Sequence, residues 1–208
     1  MRELYKSLLQ YDKKLLFILL CLLTFLLLLT KKTFIESEIA AFEVLEQKGE
    51  MGFFHLMNGL QYLGIPLMYL YKFTVIAFVI WIGCFMFGYK LTYQQLWGVA
   101  LISEFVFLIP EVLKIGWFFF VVGDPDYFDF RAFYPLSMLQ LFDYTSLHDK
   151  WLYPLKALNI FEGLYWIALV AGVHYSAKKR KNIAYYIVFS SYVMMFGLWL
   201  LYWVSIYK

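Results

Sequence analysis

The sequence predicts an all-α integral membrane protein, built as a bundle of five transmembrane helices. Of its 208 residues, 63% are hydrophobic and 23% are aromatic. Soluble domains contain only ~45–50% apolar residues. The segment 182–207 has no charged side chain, and it exceeds the ~20 apolar residues that a helix needs to cross a bilayer. These observations predict a single membrane domain over residues 1–208, with the lipid bilayer as its first partner.

The first predicted span is the leucine-rich run at residues 15–30, which follows a short basic segment. A signal peptide has a similar basic start and apolar centre. Here, however, Lys31-Lys32-Thr33 stands where a signal peptide carries small residues before its cleavage site. We therefore expect residues 15–30 to be retained as a span, with the flanking lysines reaching the lipid headgroups.

Residues 31–64 are predicted to form the first outer loop. Between residues 33 and 49, apolar side chains recur at three- and four-residue steps opposite an acidic face. This spacing predicts an amphipathic helix that lies along the membrane interface. Residues 50–64 continue as a mixed surface segment that glycines interrupt. The second span then covers residues 65–87, with Pro66 in its first turn, where a missing N–H breaks no helical hydrogen bond.

The third predicted span covers residues 96–122 and follows a tight turn. Thr92 is placed to cap this helix, because its hydroxyl can accept a backbone N–H of the first turn. Pro110 removes one backbone hydrogen bond and should kink the span. The second outer loop, residues 123–152, is rich in aspartate. Within it, residues 133–142 are apolar enough to form a short helix along the interface.

The last two predicted spans, residues 153–176 and 183–206, form a hairpin with the turn Lys178-Lys179-Arg180-Lys181. Such basic turns face the cytoplasm. The predicted cytoplasmic segments together hold nine Lys and Arg against two acids, whereas the outer loops hold five against ten. We therefore expect the N-terminus to be cytoplasmic and the C-terminus to be outside.

Six charged residues fall inside the predicted spans, where a charge is costly unless it faces protein or a cavity. They are Lys72, Glu104, Glu111, Lys114, Lys156 and Glu162. Glu104 is predicted near mid-depth, and the others are predicted to form a polar cluster in the outer half. The cluster is a candidate binding or translocation site for an ion or a polar headgroup. The alternative is a set of compensating ion pairs, for example between Glu111 and Lys114.

No catalytic, metal or cofactor motif accompanies these charges. The sequence has no HExxH motif, no Gly-x-Ser-x-Gly motif and no phosphate loop. Cys21 and Cys84 lie far apart in apolar runs, and residues 124–129 lack the glycine and terminal glutamate of a calcium loop. A net charge of +3 is too small to indicate a nucleic-acid partner. We therefore expect no enzyme activity, cofactor, metal or nucleic acid.

From the second span onward, residues 66–207 resemble the bacterial branch of the Yip1 family of five-span membrane proteins. The first similarity is the hairpin FMFGYKLTYQQLWGVALISEFVFLIP, in which Ser103 and Pro110 occupy the expected positions. The second is the stretch WLYPLKALNIFEGLYWIALVAGVHYSAKKRKNIAYYIV, where the similarity is carried by Asn159, Phe161, Trp166 and Gly172. The chain lacks the Asp-Leu-Tyr-Gly-Pro motif and the long cytoplasmic N-terminal domain of the eukaryotic members.

The resemblance implies five spans in a bacterial inner (plasma) membrane, with the N-terminus inside. It supplies no catalytic residue, and the role of eukaryotic members in binding small GTPases is not carried over. We therefore expect a non-enzymatic scaffold or accessory subunit of a secretion, transport or envelope-assembly complex. Its partner would be another membrane protein or a second copy of itself, and small residues such as Gly163 and Gly172 would allow close packing. The alternative is a small permease or lipid-binding translocator that uses intramembrane carboxylates.

Overall fold

The structure is a computed structural model, and it describes residues 12–33, 51–121, 133–143, 147–177 and 181–207. Over these ranges the chain is a helical bundle without a β-strand, and its one isolated β-bridge joins Ser137 to Asn159. Three features predicted from the sequence lie outside the described residues. They are the amphipathic helix before residue 50, the aspartates at 124–129 and most of the basic turn before the last helix.

The described residues form eight α-helices, numbered here in chain order. They are α1 (Lys13–Lys31), α2 (Met51–Met86), α3 (Tyr93–Glu104), α4 (Leu108–Phe120), α5 (Asp149–Ala157), α6 (Ile160–Ala177), α7 (Lys181–Val188) and α8 (Met194–Ile206). A 3-10 turn, Phe105–Phe107, joins α3 to α4, and a second, Met138–Leu141, precedes α5. A π-helical turn, Phe189–Val193, joins α7 to α8.

Four stretches of the described residues are long and apolar enough to cross a membrane. They are Lys13–Lys31, Gly59–Met86, Tyr93–Phe120 and Asn182–Ile206. They correspond to four of the five predicted spans. The outward faces of these helices carry large exposed apolar side chains, among them Phe85 and Phe120, each about four-fifths exposed. These features are those of a multi-pass membrane protein, because lipid solvates apolar faces that water would not.

The predicted span at residues 153–176 is divided into α5 and α6. Asn159 stabilises the break from both sides. Its Nδ2 donates to the carbonyls of Lys156 at 3.1 Å and Ala157 at 3.0 Å, and its Oδ1 accepts the N–H of Glu162 at 2.8 Å. Asparagine is favoured at helix ends for this reason. The described helices contain four candidate crossings rather than five, and α6, with 18 residues, is not among them.

The second long helix begins earlier than predicted. The helix α2 begins at Met51, so residues 51–64, predicted as a surface segment that glycines interrupt, are helical, and Pro66 lies inside the helix rather than in its first turn. Proline is tolerated inside membrane helices because neighbouring groups satisfy the carbonyl that it frees. Thr92, in contrast, caps α3 as predicted: its Oγ1 accepts the N–H of Gln95 at 3.3 Å.

The short helix predicted at residues 133–142 is reduced to the 3-10 turn Met138–Leu141. Leu136 adopts a left-handed φ of 54°, which ends any continuous helix. The backbone on either side bonds to the break between α5 and α6 instead. The N–H of Met138 donates to the Leu158 carbonyl at 2.9 Å, and the N–H of Ile160 donates to the Leu136 carbonyl at 3.2 Å. The segment is therefore fixed over the start of α6.

The core lies around α3, which packs against α1, α2 and α6. Leu96, Val99 and Leu101 on α3 are fully buried. Close approach of α6 depends on Gly172, because an added Cβ there would lie 2.3 Å from Val99 Cγ1. The expected close packing is thus confirmed for Gly172. At Gly163 an added Cβ would meet no atom within 4 Å.

Candidate functional site

The third span changes character at the 3-10 turn Phe105–Phe107. Before the turn, the last residues of α3 are enclosed, with Ser103 1% exposed and Glu104 3% exposed. After the turn, α4 packs on α1 but leaves most of its surface uncovered. The turn tightens the helix just before Pro110, whose ring disfavours regular helix geometry in the preceding turn. A space lies between α1, α2 and the junction of α3 with α4.

This space is a cavity of about 570 Å³, here called the charged cavity. Its charged and polar lining residues are Thr24, Lys31, Gln61, Tyr69, Lys72, Glu104, Glu111 and Tyr134. The rest of its wall is mostly aliphatic and includes Leu27, Ile65 and Met68. Along α2 the lining runs from Gln61 to Lys72, about 16 Å at a rise of ~1.5 Å per residue. A largely apolar wall with a few placed polar groups is typical of ligand-binding pockets.

An ion pair between Lys72 and Glu104 lies at the inner end of the charged cavity. Lys72 Nζ donates to Glu104 Oε1 at 2.6 Å. The lysine side chain is 40% exposed, whereas that of the glutamate is 4% exposed. The second oxygen, Glu104 Oε2, is buried and has no hydrogen-bond partner among the described residues. The Lys72 ammonium also lies 4.6 Å from the ring centroid of Phe107, a favourable cation–π distance.

Glu111 lies on the cavity wall, two turns beyond Glu104 along the third span. Its side chain is half-buried, and it forms no hydrogen bond or ion pair with another described residue. Tyr134 lines the same space from the segment before α5. Burial, reinforced by the nearby Glu111 carboxylate, raises the pKa of the Tyr134 phenol above its ordinary value. The phenol therefore remains a neutral hydrogen-bond donor at physiological pH.

Thr24 and Tyr69 close the cavity between α1 and α2. Thr24 Oγ1 donates to the Leu20 carbonyl at 2.9 Å and lies 2.8 Å from Tyr69 Oη. A hydroxyl has one proton, and that of Thr24 is directed to the carbonyl, so Tyr69 is the donor between the two hydroxyls. This arrangement leaves the oxygen of Tyr69 as an acceptor.

Glu162 has its own hydrogen bonds on the other side of the bundle core. Its Oε1 accepts from Trp166 Nε1 at 2.8 Å and from Tyr192 Oη at 3.0 Å. Tyr192 belongs to the π-helical turn Phe189–Val193, and such turns often mark functional positions in helices.

The structure places the six charged residues singled out in the sequence in four settings. Lys72, Glu104 and Glu111 line one cavity. Glu162 is held by Trp166 and Tyr192, whereas Lys156 Nζ lies 5.8 Å from the ring centroid of Tyr134. Lys114 is buried in α4 and is not a lining residue of the charged cavity. The observed ion pair joins Lys72 to Glu104 across two helices.

Sequence reasoning missed the hydroxyl and indole groups that contact these charges. Trp166 was detectable, because it follows Glu162 by four residues and therefore lies on the same helix face. Tyr192, Thr24 and Tyr69 had no such signal, since each lies in an apolar run on a different helix. Their roles depend on how the helices pack.

The part of the chain that the structure describes contains no group of three or more His, Cys, Asp or Glu side chains able to hold a metal ion. Comparisons of the chain with models of protein families, with curated proteins and with solved structures find no match. The resemblance to the Yip1 family therefore stays a prediction.

Proposed function

We propose that this protein is a non-enzymatic, multi-pass membrane protein that binds the polar part of an amphiphilic molecule in the charged cavity. This is the function of a lipid-binding translocator or of a small permease for an amphiphile. The observation that carries the proposal is the cavity itself, which reaches an ion pair inside the bundle. Charged groups are costly inside a membrane, and a scaffold needs neither these charges nor a space beside them.

The dimensions and lining of the charged cavity support an amphiphile as the ligand. Polar groups occupy its inner end and one wall, whereas Leu27, Ile65 and Met68 offer apolar surface. Met68 is 73% exposed on the outside of α2, so the apolar side of the cavity is continuous with the lipid-facing surface. A headgroup could bind inside while its hydrocarbon tail stays in the bilayer.

A scaffold or accessory role in a secretion, transport or envelope-assembly complex stays a prediction. A scaffold role differs from binding of an amphiphile in that it requires stable association with another membrane protein or a second copy of this chain. Purification of the full chain in mild detergent, followed by crosslinking and mass spectrometry, measures this association. A stoichiometric protein partner, together with unchanged cellular function in the Glu104→Gln variant, would favour the scaffold.

We also propose a fifth crossing by α6, with the N-terminus in the cytoplasm of a bacterial cell and the C-terminus outside. At ~1.5 Å per residue, the 18 residues of α6 extend about 27 Å, close to the ~30 Å thickness of the hydrocarbon core. The excess of basic residues in the predicted cytoplasmic segments supports this orientation. An impermeant thiol reagent added to intact cells should label Tyr127→Cys and leave Lys179→Cys unlabelled, and the reverse result would overturn it.

Filling the cavity tests the proposed function. Gly64 lines the charged cavity, whereas Gly59 on the same helix does not. At either position an added Cβ would meet no atom within 4 Å. We expect Gly64→Leu to lower the phospholipid retained by the purified chain at least about tenfold, as measured by native mass spectrometry. Gly59→Leu is the matched control and should retain phospholipid like the unchanged protein. Equal retention in all three proteins would refute the proposal.

A further inference from the structure

The chemistry of the ligand can be inferred from the groups that the charged cavity exposes. Glu104 is almost completely buried, whereas the Lys72 side chain is 40% exposed. Both residues line the inner end, and the lysine is the more exposed of the two. An ammonium has three N–H donors, and its hydrogen bond to a described residue uses one of them, to Glu104 Oε1. The remaining donors are suited to an anionic group of the ligand.

The exposed anion of the cavity is Glu111, which lies nearer to its mouth. Glu111 follows Glu104 by two helical turns, and no described residue neutralises its carboxylate through an ion pair. A carboxylate without an ion-pair partner attracts a cation.

We infer that the charged cavity selects a zwitterionic headgroup, with its anionic group inward against Lys72 and its ammonium outward against Glu111. The inference rests on the proposed function and names the class of its ligand. Lys31 also lines the cavity, but no ion pair joins it to Glu111 among the described residues. A purely anionic ligand would add no cation for Glu111, and a purely cationic one would leave donors of Lys72 unused. A zwitterion in this orientation satisfies both.

Glu104, which binds Lys72, and Glu111 are seven residues apart on the third span, about two helical turns. A ligand that reaches both Lys72 and Glu111 therefore carries its anionic and cationic groups on different atoms joined by a linker. A phosphate joined to an ammonium by a two-carbon linker is a ligand of this kind. The same headgroup arrives on a phospholipid or as the free phosphoamine.

The test compares two phospholipids with the same dioleoyl chains. Dioleoylphosphatidylethanolamine is zwitterionic, whereas dioleoylphosphatidylglycerol keeps the phosphate and lacks the ammonium. Native mass spectrometry of the full chain in dodecylmaltoside should show about tenfold tighter binding of the zwitterionic lipid. The half-buried Glu111 can be changed without emptying the core. Glu111→Gln should therefore abolish the preference by weakening binding of the ethanolamine lipid alone.

The outcomes separate the inference from the proposed function. If the unchanged protein binds the two lipids equally and Gly64→Leu binds neither, selection of a zwitterion is refuted, whereas the cavity remains a binding site. Tighter binding of the glycerol lipid, or a preference that persists in Glu111→Gln, also overturns it. If Gly64→Leu leaves the binding of both lipids unchanged, both proposals are refuted. Where the preference holds, water-soluble phosphoethanolamine is added to the lipid-bound protein. Displacement of the lipid identifies the free headgroup as a sufficient ligand, whereas no displacement identifies the whole lipid as the ligand. Both results agree with selection of a zwitterion.

Discussion

The two halves of the third span are both apolar, yet they lie in opposite surroundings. Helix α3 is enclosed by α1, α2 and α6, with Leu96, Val99 and Leu101 fully buried. Helix α4 continues the same span after the 3-10 turn, but Ile109 and Phe120 on it are exposed. Both halves are stable because lipid solvates an apolar face as well as neighbouring helices do. Burial in a membrane protein is therefore decided by close packing and not by hydrophobicity.

Small residues account for the close packing around α3. Gly172 allows α6 to touch Val99, and an added Cβ at Gly83 would lie 3.0 Å from Ser191 in the π-helical turn. On α4, in contrast, an added Cβ at Gly116 would meet no atom within 4 Å. The charged cavity lies where the packed half ends, and the ion pair between Lys72 and Glu104 marks that boundary.

Removing the cation at the boundary should have the largest effect on stability. Lys72→Met leaves the carboxylate of Glu104, 4% exposed, buried without a counterion, and we expect it to lower the free energy of unfolding by about 3 kcal/mol. Glu104→Gln should cost clearly less, because the more exposed Lys72 can still be solvated in the cavity. Reversible unfolding in mixed dodecyl sulfate–dodecylmaltoside micelles, followed by circular dichroism, measures both values.

The double variant Lys72→Met/Glu104→Gln is the control for this asymmetry. It removes both charges, so it should be more stable than Lys72→Met alone. Equal losses for the two single variants, or additive losses in the double variant, would show that the pair does not behave as a buried charge with a solvated partner.

Disturbing the packed half should have the next largest effect. Gly172→Ala places a methyl group 2.3 Å from Val99 Cγ1 and should destabilise the protein by about 2 kcal/mol through overpacking. Gly163→Ala, on the same helix and in open space, should be neutral or stabilising by up to ~1 kcal/mol from helix propensity. Val99→Ala combined with Gly172→Ala should recover part of the loss. A Gly172→Ala protein as stable as Gly163→Ala would contradict the close contact.

Removing one hydrogen bond of Glu162 should have a smaller effect. Tyr192→Phe deletes the donor that lies 3.0 Å from Glu162 Oε1, which leaves Trp166 as the remaining side-chain donor. The expected loss in the free energy of unfolding is about 1.5 kcal/mol. Tyr202→Phe, at an exposed position of α8, is the matched control and should change stability little. If the two variants lose equal free energy of unfolding, the hydrogen bond of Tyr192 to Glu162 contributes no more than a hydroxyl on the lipid-facing surface, which would contradict this prediction.

The sequence predicted the features that depend on neighbouring residues. The long apolar runs predicted the membrane-crossing helices, and Thr92 predicted the start of α3, because capping acts within one turn. Depth placed Lys72 and Glu111 in one predicted cluster, since charges at similar depths avoid lipid by facing one another. It left Glu104, which pairs with Lys72, outside that cluster.

Features that depend on packing between distant segments were not predictable. Pro66 was placed in a first turn, but the helix extends back to Met51, because local propensity does not define where a membrane helix begins. The break before α6 is also held by a distant segment, because the backbone at Leu136 and Met138 bonds to Ile160 and Leu158. The pairing of Lys72 with Glu104 rather than Glu111 depends on the angle at which the helices meet, which no sequence spacing specifies.

Water access to α4 tests the central claim that the third span leaves the packed core and borders a polar cavity. Leu108 lines the charged cavity, whereas its neighbour Ile109 is exposed on the outside of the helix. In a Cys21→Ala/Cys84→Ala background, Leu108→Cys in open membrane fragments should react with a charged methanethiosulfonate at least about tenfold faster than Ile109→Cys. The thiol of Leu108→Cys faces the water of the cavity, in which a thiolate forms, whereas the thiol of Ile109→Cys faces lipid. Equal rates, or faster modification of Ile109→Cys, would contradict the account.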